Sequence, residues 1–220
     1  MDILNKNLTE KKIPRIGISF RIVNAIGYEE KRDAISHDWP KFLEKINVLP
    51  IWIPNTISNI DSFFNELDID GIILSGGDDI GQTPERDKTE TSLINYGIKY
   101  NIPIIGVCRG MQILNQYFNG SLKKSISKTH VGKEHSLIIR EKFFLNTFPS
   151  EIIVNSFHDN IITSQNLGKN LTSFAETKSD KTIEGFFHNT FPILGVMWHP
   201  EREQKRFDEL LIKNFLKKNE

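Results

Sequence analysis

The chain has 220 residues, 38% hydrophobic and 25% charged, a composition typical of a globular protein whose core needs no disulfide or metal. Lys plus Arg and Asp plus Glu number 28 each, so the overall charge offers no attraction to nucleic acid or to an anionic membrane. The single cysteine excludes an intramolecular disulfide and fits a reducing compartment. Residues 1–12 lack the apolar core of a secretory signal, and no apolar run approaches the roughly 20 residues that cross a bilayer. We therefore expect a cytoplasmic protein with neither nucleic-acid nor membrane partners.

Short apolar runs alternate with helical stretches along the chain. The first half predicts strands at residues 13–20, 48–53, 71–74 and 102–107, and helices at residues 34–46, 60–67, 89–100 and 111–118. The second half predicts strands at residues 136–140, 152–154, 171–175, 183–187 and 193–197, and then an amphipathic helix over residues 202–218. Several strands are almost wholly apolar, which is typical of parallel strands buried on both faces. We expect a single α/β domain over residues 1–220, with a mostly parallel central sheet covered by helices on both faces.

Cys108 lies in the segment Gly106-Val-Cys-Arg-Gly110, between a buried strand and the start of a helix. This is the G-x-C-x-G form of a nucleophile elbow, in which small flanking residues let the chain turn sharply. The turn presents the sulfur at a helix N-terminus, which favours the reactive thiolate. A lone cysteine is more often a small core residue, but the glycine pair and the strand–turn–helix placement favour catalysis.

His199 and Glu201 follow another apolar strand. A nucleophilic thiol needs a base, and the base needs an orienting carboxylate. Residues i and i+2 of an extended chain point the same way, and Pro200 biases His199 away from the helical region. Alone, this segment could equally be a turn before the last helix. Paired with the cysteine elbow, it predicts a Cys108–His199–Glu201 triad at the carboxyl edge of the sheet.

Gly76 and Gly77 follow the third predicted strand, at the same edge. Exposed N–H groups there, joined by the backbone N–H of Arg109, could stabilise an oxyanion, although an ordinary glycine turn would show the same pattern. The six histidines show no ligand spacing such as H-E-x-x-H, so we predict neither a metal nor a cofactor.

Three motifs in this order resemble the class I glutamine-amidotransferase superfamily: Leu-Ser-Gly-Gly (74–77), Gly-Val-Cys-Arg-Gly-Met-Gln (106–112) and Trp-His-Pro-Glu (198–201). The resemblance spans most of the chain and implies a Cys–His–Glu triad on a flavodoxin-like α/β sheet. It also implies an oxyanion hole formed by the Gly77 and Arg109 amides, and places Gln112 near the glutamyl portion of the substrate.

The segment Val-Asn-Ser-Phe-His-Asp (154–159) looks like the Val-Asn-Ser-x-His segment of the γ-glutamyl hydrolase branch, which acts on γ-glutamyl amides of small molecules. The resemblance implies that Asn155, Ser156 and His158 help to line the glutamyl pocket. The alternative for His158 is a structural role near a strand end, with its hydrogen bonds made to neighbouring groups of the protein. The family often has His, Asn or Gln in the two positions after the histidine, and this chain has Asp159 and then Asn160 there.

Residues 32–39 and 197–202 are similar to a narrower group, the γ-glutamyl-CDP-amidate hydrolases of capsule phosphoramidate synthesis. In that case Arg21 and Arg32 are candidates to meet a nucleotide phosphate, because arginine is well suited to bidentate contacts with anions. The alternative for each is a solvated arginine.

The expected activity is hydrolysis of a small-molecule γ-glutamyl amide through a cysteine thioester, with release of glutamate and no required protein partner. The substrate contains a nucleotide if the narrower similarity holds. The main alternative is a glutaminase subunit that delivers ammonia to a partner synthetase through the same triad. An ester-cleaving cysteine α/β-hydrolase is disfavoured because its acid usually precedes its histidine, and an inactive binding module is disfavoured by the intact triad.

Overall fold

The computed structural model describes residues 12–125, 130–140 and 149–217. The strands are β1 (Arg15–Ser19), β2 (Arg21–Asn24), β3 (Lys31–Ala34), β4 (Leu49–Ile53), β5 (Gly71–Leu74), β6 (Ile104–Val107), β7 (Lys123–Lys124), β8 (Val131–Ile139), β9 (Glu151–Phe157), β10 (Asn160–Ile161), β11 (Leu171–Thr177), β12 (Ile183–His188) and β13 (Ile193–Val196). The α-helices are α1 (Asp38–Lys45), α2 (Ile60–Leu67), α3 (Pro84–Tyr100), α4 (Arg109–Tyr117), α5 (Pro200–Glu203) and α6 (Arg206–Lys217).

A nine-stranded sheet in the order β4-β1-β5-β6-β13-β12-β11-β8-β9 forms the centre of the fold. The pairings from β4 to β13 are parallel, and those from β13 to β9 are antiparallel. The α/β class is confirmed, but the sheet is mixed and not mostly parallel. The physical reason lies in the connections, since several strands of the second half follow one another through short links and so pair antiparallel.

Helices cover both faces of the parallel half, as expected. Ile73 of β5 packs in a core cluster with Trp39 and Phe42 of α1 and with residues of α6. Its neighbours Ile72 and Leu74 point the other way, into a cluster with α2, α3 and α4. This alternation explains why the strand is apolar at every position.

Several element boundaries differ from the sequence expectation, three of them at helices and one at β8, which begins at Val131 and not at residue 136. Residues 31–34 pair with residues 21–24 as an antiparallel hairpin, so α1 begins at Asp38 and not at residue 34. Helix α3 begins at Pro84 and not at residue 89, because a proline at the first helical position costs no hydrogen bond. The last helix is interrupted at Gln204, whose left-handed backbone ends α5. None of the helices within the described ranges is long and apolar enough to cross a membrane.

Three neighbouring parallel strands position the site. β6 lies between β5 and β13, and the chain leaves all three at the same edge of the sheet. Since Val107 and Val196 are register partners, the residues that follow β6 and β13 emerge side by side. The segments carrying the glycine turn, the cysteine and the histidine are thereby brought together.

Candidate active site

Cys108 stands between β6 and α4 in a strained conformation, with φ 51° and ψ −104°. Two close approaches make the sharp turn possible. A Cβ on Gly106 would lie 2.5 Å from the carbonyl of Gly110, and a Cβ on Gly110 would lie 2.0 Å from the carbonyl oxygen of Leu74. Both positions therefore require glycine. Backbone strain of this kind is concentrated at functional sites, and here it places the cysteine at the start of a helix.

His199 lies beside Cys108 and connects it to Glu201. The imidazole Nδ1 lies 2.7 Å from Oε1 of Glu201, and the ring lies close enough to the Cys108 thiol for the two groups to shift each other's pKa. With Nδ1 occupied by the carboxylate, Nε2 is the nitrogen left for the sulfur. Gly76 leaves room for the ring, since a Cβ there would lie 2.7 Å from Cε1 of His199. The three predicted triad residues are thus brought together in the predicted order.

The thiol and the imidazole shift each other's pKa. Burial alone would raise the pKa of Cys108, but its hydrogen bond with His199 and the nearby imidazole charge outweigh burial, and the pKa is lowered. Burial alone would lower the pKa of His199, but hydrogen bonds with Cys108 and Glu201 raise it to about 9. Both shifts favour a thiolate–imidazolium pair, the reactive form of a nucleophilic cysteine.

The Arg86 side chain fixes the glycine turn that follows β5, which contains Gly76 and Gly77. Its Nη2 atom donates to the carbonyl oxygens of Ser75 at 2.6 Å and Gly76 at 3.2 Å. Since the peptide is trans, fixing the Gly76 carbonyl toward Arg86 turns the Gly77 N–H to the opposite side. Gly77 has φ +151°, and a Cβ there would lie 2.2 Å from Nη1 of Arg86. The turn therefore has one defined orientation of its N–H groups.

A buried cluster of charged side chains supports this turn. Glu90 of α3 accepts hydrogen bonds from Arg86 Nε at 2.9 Å and from the hydroxyl of Ser19 at 2.7 Å, and it pairs with the Arg109 side chain. Arg109 also pairs with Asp87. Burial lowers the pKa of Arg86 to about 10 and that of Arg109 to about 9, so both remain protonated at neutral pH. The Arg109 side chain is thus engaged inside the protein, and only its backbone N–H is a candidate for the oxyanion.

The residues predicted to line the glutamyl pocket make internal contacts. Asn155 hydrogen-bonds the main chain of His199, and Ser156 donates to the carbonyl of His130 at 2.6 Å. Gln112 is buried in α4, where its amide nitrogen lies 3.7 Å from the sulfur of Met197. Their contacts with a substrate stay a prediction.

His158 turns toward Glu184, His130 and His135, which together form a buried group with the side-chain chemistry of metal ligands. The sequence predicted no such group, because its members come from separated strands. The Cys108–His199 pair and the His158 group are the two sets of reactive side chains on this part of the sheet.

A groove of about 470 Å³ has a lining that includes Arg21, Ser36, Asp38 and Arg202, the last of which directly follows Glu201 in the chain. The Arg202 guanidinium stacks 4.0 Å from the centre of the Phe157 ring, whose centroid is 5.9 Å from that of His199. On the other side, a Cβ on Gly77 would lie 3.2 Å from Cβ of Arg21. Two arginines of the groove thus lie near residues of the candidate site, Arg202 by way of Phe157 and Arg21 beside Gly77.

Arg32 was the other arginine proposed to meet a phosphate. It pairs with Glu30 and lies over the Tyr28 ring, with 5.4 Å between its Cζ atom and the ring centre. Arg202, which the sequence had not singled out as an anion ligand, lines the groove together with Arg21.

Comparison with known proteins shows which family this chain belongs to. The family model described as glutamine amidotransferase class-I matches residues 33–219. The chain belongs to this family. The expected class of chemistry, hydrolysis of glutamine-like amides, is confirmed by that membership.

Two relatives are similar to the chain over most of their own length. The chain is 36% identical over 196 residues to the γ-glutamyl-CDP-amidate hydrolase of Campylobacter jejuni, covering 86% of this chain and 90% of that protein. It is 32% identical over 184 residues to a subunit of the glutamine-hydrolyzing GMP synthase of Thermoplasma acidophilum, covering 81% and 84%. Among solved structures, a candidate GMP synthase subunit from T. acidophilum matches with a TM-score of 0.70 at 27% identity, over 94% of both chains.

Two features of the candidate site went unpredicted. Arg86 and Glu90 stand four residues apart, a spacing that usually indicates a surface pair on an exposed helix. The hydrogen bonds between the Asn155 side chain and the His199 main chain join residues far apart in the chain, so local spacing does not predict them. Only an apolar pattern on one face of α3 could have indicated which of its residues face inward. The sequence of α3 is polar, so it gives no such indication.

Proposed function

We propose that this chain hydrolyses the γ-glutamyl amide bond of a small molecule through a thioester on Cys108. The observation that carries the proposal is the place of Cys108 at a strained elbow, beside a histidine whose Nδ1 lies 2.7 Å from Oε1 of Glu201. A thiol paired with an imidazole, whose other nitrogen is held by a carboxylate, is an arrangement for nucleophilic catalysis. A cytoplasmic location belongs to the same proposal, since a reducing compartment keeps the thiol free.

The reaction runs in two stages. The Cys108 thiolate attacks the γ-carbonyl carbon, and the carbonyl oxygen becomes an oxyanion. As this intermediate collapses, the C–N bond breaks and the His199 imidazolium gives its proton to the departing nitrogen. The neutral imidazole then takes a proton from water, which attacks the thioester. The C–S bond breaks, the thiolate returns, and glutamate leaves.

The Gly77 and Arg109 N–H groups are the donors proposed for the oxyanion. The Gly77 N–H is oriented away from Arg86, and the Arg109 N–H lies in the first turn of α4, directly after the nucleophile. N–H groups in the first turn of a helix have no partner within the helix, so that of Arg109 is available to an anion. Removing one oxyanion donor typically lowers kcat by roughly 100- to 1000-fold.

The leaving group that fits the groove best carries phosphate. Arg21 and Arg202 line the groove, and guanidinium groups bind phosphate through paired N–H donors. The 36% identity to a γ-glutamyl-CDP-amidate hydrolase supports a substrate in which the scissile nitrogen is attached to a nucleoside diphosphate. We propose γ-glutamyl-CDP-amidate or a close analogue as the substrate, within capsule phosphoramidate synthesis.

A second candidate function is a glutaminase subunit that delivers ammonia to a partner synthetase. The 32% identity to a GMP synthase subunit supports it, as does the structural match to a candidate protein of that kind. The triad chemistry would be the same, but glutamine has no phosphate for the arginines of the groove to bind.

A substrate panel distinguishes the two functions. Purified chain is incubated alone with γ-glutamyl-CDP-amidate, γ-glutamyl-aminobutyrate or glutamine, and glutamate release is measured. We expect the phosphate-containing substrate to be cleaved with the highest kcat/KM and without a partner. Arg202→Ala should lower that kcat/KM by about 10-fold or more while leaving slow glutamine hydrolysis unchanged, since one charge-assisted hydrogen bond is worth about 1.5–3 kcal/mol. Glutamine cleavage that appears only with a partner protein would favour the glutaminase instead.

A further inference from the structure

Four buried side chains converge behind the triad, and the amide-hydrolysis mechanism uses none of them for proton transfer. His130 precedes β8, His135 lies in β8, His158 follows β9, and Glu184 lies in β12. Each is at least nine-tenths buried. One ligand-type atom from each lies within 4.8 Å of all the others. They form what is called here the three-histidine cluster.

The distances from Glu184 to the three histidines come close to those between the ligand atoms of a tetrahedral ion. Glu184 Oε1 lies 3.4 Å from His158 Nε2, 3.8 Å from His135 Nδ1 and 3.9 Å from His130 Nδ1. Zinc–ligand distances of roughly 2.0–2.2 Å place neighbouring atoms of a tetrahedral site about 3.3–3.6 Å apart. The three distances to Glu184 need to shorten by only a few tenths of an ångström, whereas the widest pair of ligand atoms, up to 4.8 Å apart, needs to close by about 1 Å for the cluster to hold one ion.

Atoms that face the centre of the cluster lack hydrogen-bond partners. Within the described ranges this holds for His130 Nδ1, His158 Nε2 and both carboxylate oxygens of Glu184. Leaving buried polar atoms unsatisfied is costly, and leaving a buried carboxylate without a strong partner is more so. A cation at the centre would satisfy all of these atoms at once.

The outward nitrogens of two histidines are held in the way metal ligands are. His130 Nε2 lies 2.9 Å from Asp180 Oδ2, and His158 Nδ1 lies 2.9 Å from the carbonyl oxygen of Asn160. Both partners are acceptors, so in the neutral form of each imidazole the outward nitrogen carries the proton and the inward nitrogen keeps its lone pair. Asp180 is itself fixed by the hydroxyl and amide of Thr182. Such carboxylate–histidine and carbonyl–histidine contacts orient the ligands of zinc sites.

We propose that His130, His135, His158 and Glu184 bind a divalent transition-metal ion, zinc by preference. Three imidazoles and one carboxylate suit zinc, whereas magnesium and calcium require a shell of oxygen ligands. With four protein ligands the site is closed, which is typical of a structural ion. The site is separate from the triad and would exist whether or not the proposed hydrolysis is correct.

The ion would join the strands that support His199. β8, β9 and β12 all contribute to the cluster or lie directly next to it, and β9 carries Asn155, which holds the main chain of His199. His130 also accepts hydrogen bonds at its carbonyl from the Ser156 hydroxyl and the His158 amide. Metal binding therefore stabilises the part of the sheet on which the base of the triad is positioned.

Metal content of the full chain tests the proposal. The protein is produced without a histidine tag, treated with a chelator, and then titrated with Zn²⁺ by calorimetry and mass spectrometry. We expect one zinc ion per chain and a thermal midpoint that rises with free zinc concentration, as binding to the folded state requires. Co²⁺ in place of zinc should give the visible spectrum of a tetrahedral site.

Four variants assign the ion to the cluster. His135→Asn and Glu184→Gln should each lower zinc affinity by about 100-fold or more and abolish the zinc-dependent rise in thermal midpoint, because a ligand is lost. His37→Asn, which removes an exposed histidine elsewhere, and Cys108→Ala should both bind zinc as the unaltered chain does. If a cluster variant fails to fold, the chelator and titration results on the unaltered chain still decide. Absence of zinc binding by the unaltered chain overturns the proposal, as does loss of zinc in Cys108→Ala with retention in Glu184→Gln.

Discussion

The side-chain amide of Asn155 holds the main chain of His199 at both polar groups. Its Oδ1 accepts from the His199 N–H and its Nδ2 donates to the His199 carbonyl, each at 2.9 Å. The imidazole then has one position from which to reach both Cys108 and Glu201. Asn155 is therefore a positioning residue for the base, in addition to any contact with the glutamyl group.

Asn155→Ala should lower kcat for amide hydrolysis by about 10- to 100-fold, because the loss of two buried hydrogen bonds of about 1 kcal/mol each lets the histidine shift. Asn214→Ala, at an exposed position of α6, is the control and should leave kcat unchanged. Kinetics and thermal unfolding are measured for both variants. A purely structural role for Asn155 would lower the thermal midpoint and leave kcat and the Cys108 alkylation profile as they were.

The alkylation rate of Cys108 should follow a pH profile with a midpoint below that of an ordinary thiol. A lowered pKa means that the thiolate persists to lower pH, and the hydrogen bond with His199 is what lowers the pKa against the opposing effect of burial. His199→Asn removes the main effects that lower this pKa, while burial, the largest effect, and the Glu201 charge still raise it against the smaller opposing effect of His158. The midpoint should therefore move above roughly 8.5, the ordinary thiol pKa. Iodoacetamide labelling followed by mass spectrometry measures both profiles, and the single cysteine makes the signal unambiguous. Identical midpoints in the two proteins would contradict the ion-pair assignment.

Amide hydrolysis should also decline at alkaline pH. The leaving nitrogen needs a proton from His199, whose pKa is raised to about 9, so the protonated form is lost as pH rises through that value. The alkaline decline is measured as kcat/KM against pH, with thermal unfolding at each pH to exclude denaturation. A rate that keeps rising above pH 9 would show that the leaving group departs without this proton.

Gly77→Ala should lower kcat by roughly 100-fold or more, because a Cβ would collide with Arg86 Nη1 and turn an oxyanion donor away. Gly81→Ala is a matched control. Gly81 also has a positive φ, of +94°, but no atom lies within 4 Å of an added Cβ. The control variant should lose about 1–2 kcal/mol of stability from strain and keep its activity. Equal losses of kcat in both variants would indicate strain in the loop and not loss of a donor.

Glu90→Gln should reduce the free energy of unfolding by about 3–5 kcal/mol, because it leaves the buried guanidinium groups of Arg86 and Arg109 without their main counter-charge. Glu85→Gln, on the same helix, removes an exposed pair with Lys31 and should change stability little. Denaturant unfolding compares the two variants. A small and equal effect for both would mean that the buried cluster does not hold the glycine turn.

The predictable part of the site is the part encoded by local sequence. Cys108 and His199 each follow an apolar strand directly, and Glu201 is only two residues further on, so pattern and chain direction suffice to bring them to one edge. Flanking glycines indicated the sharp turn at Cys108 for the same reason. Strand and helix types in the first half of the chain were predictable because burial on both faces leaves nearly continuous apolar runs.

The unpredicted parts depend on contacts between distant residues. The hairpin of β2 and β3 contains Lys31, Arg32 and Asp33, and its exposed polar side chains give no strand periodicity. Arg86 and Glu90 are polar residues facing the interior, which a pattern of hydrophobicity assigns to the surface. His130, His158 and Glu184 meet only after three strands have paired, so no spacing along the chain indicates their convergence.

The central claim is that Cys108 is the nucleophile for γ-glutamyl amide hydrolysis, and glutamate release by Cys108→Ala tests it most directly. Using the best substrate of the panel, we expect the variant to release glutamate at least about 1000-fold more slowly than the unaltered chain, and to bind the substrate with a similar Kd. Turnover by Cys108→Ala at the rate of the unaltered chain would contradict the claim.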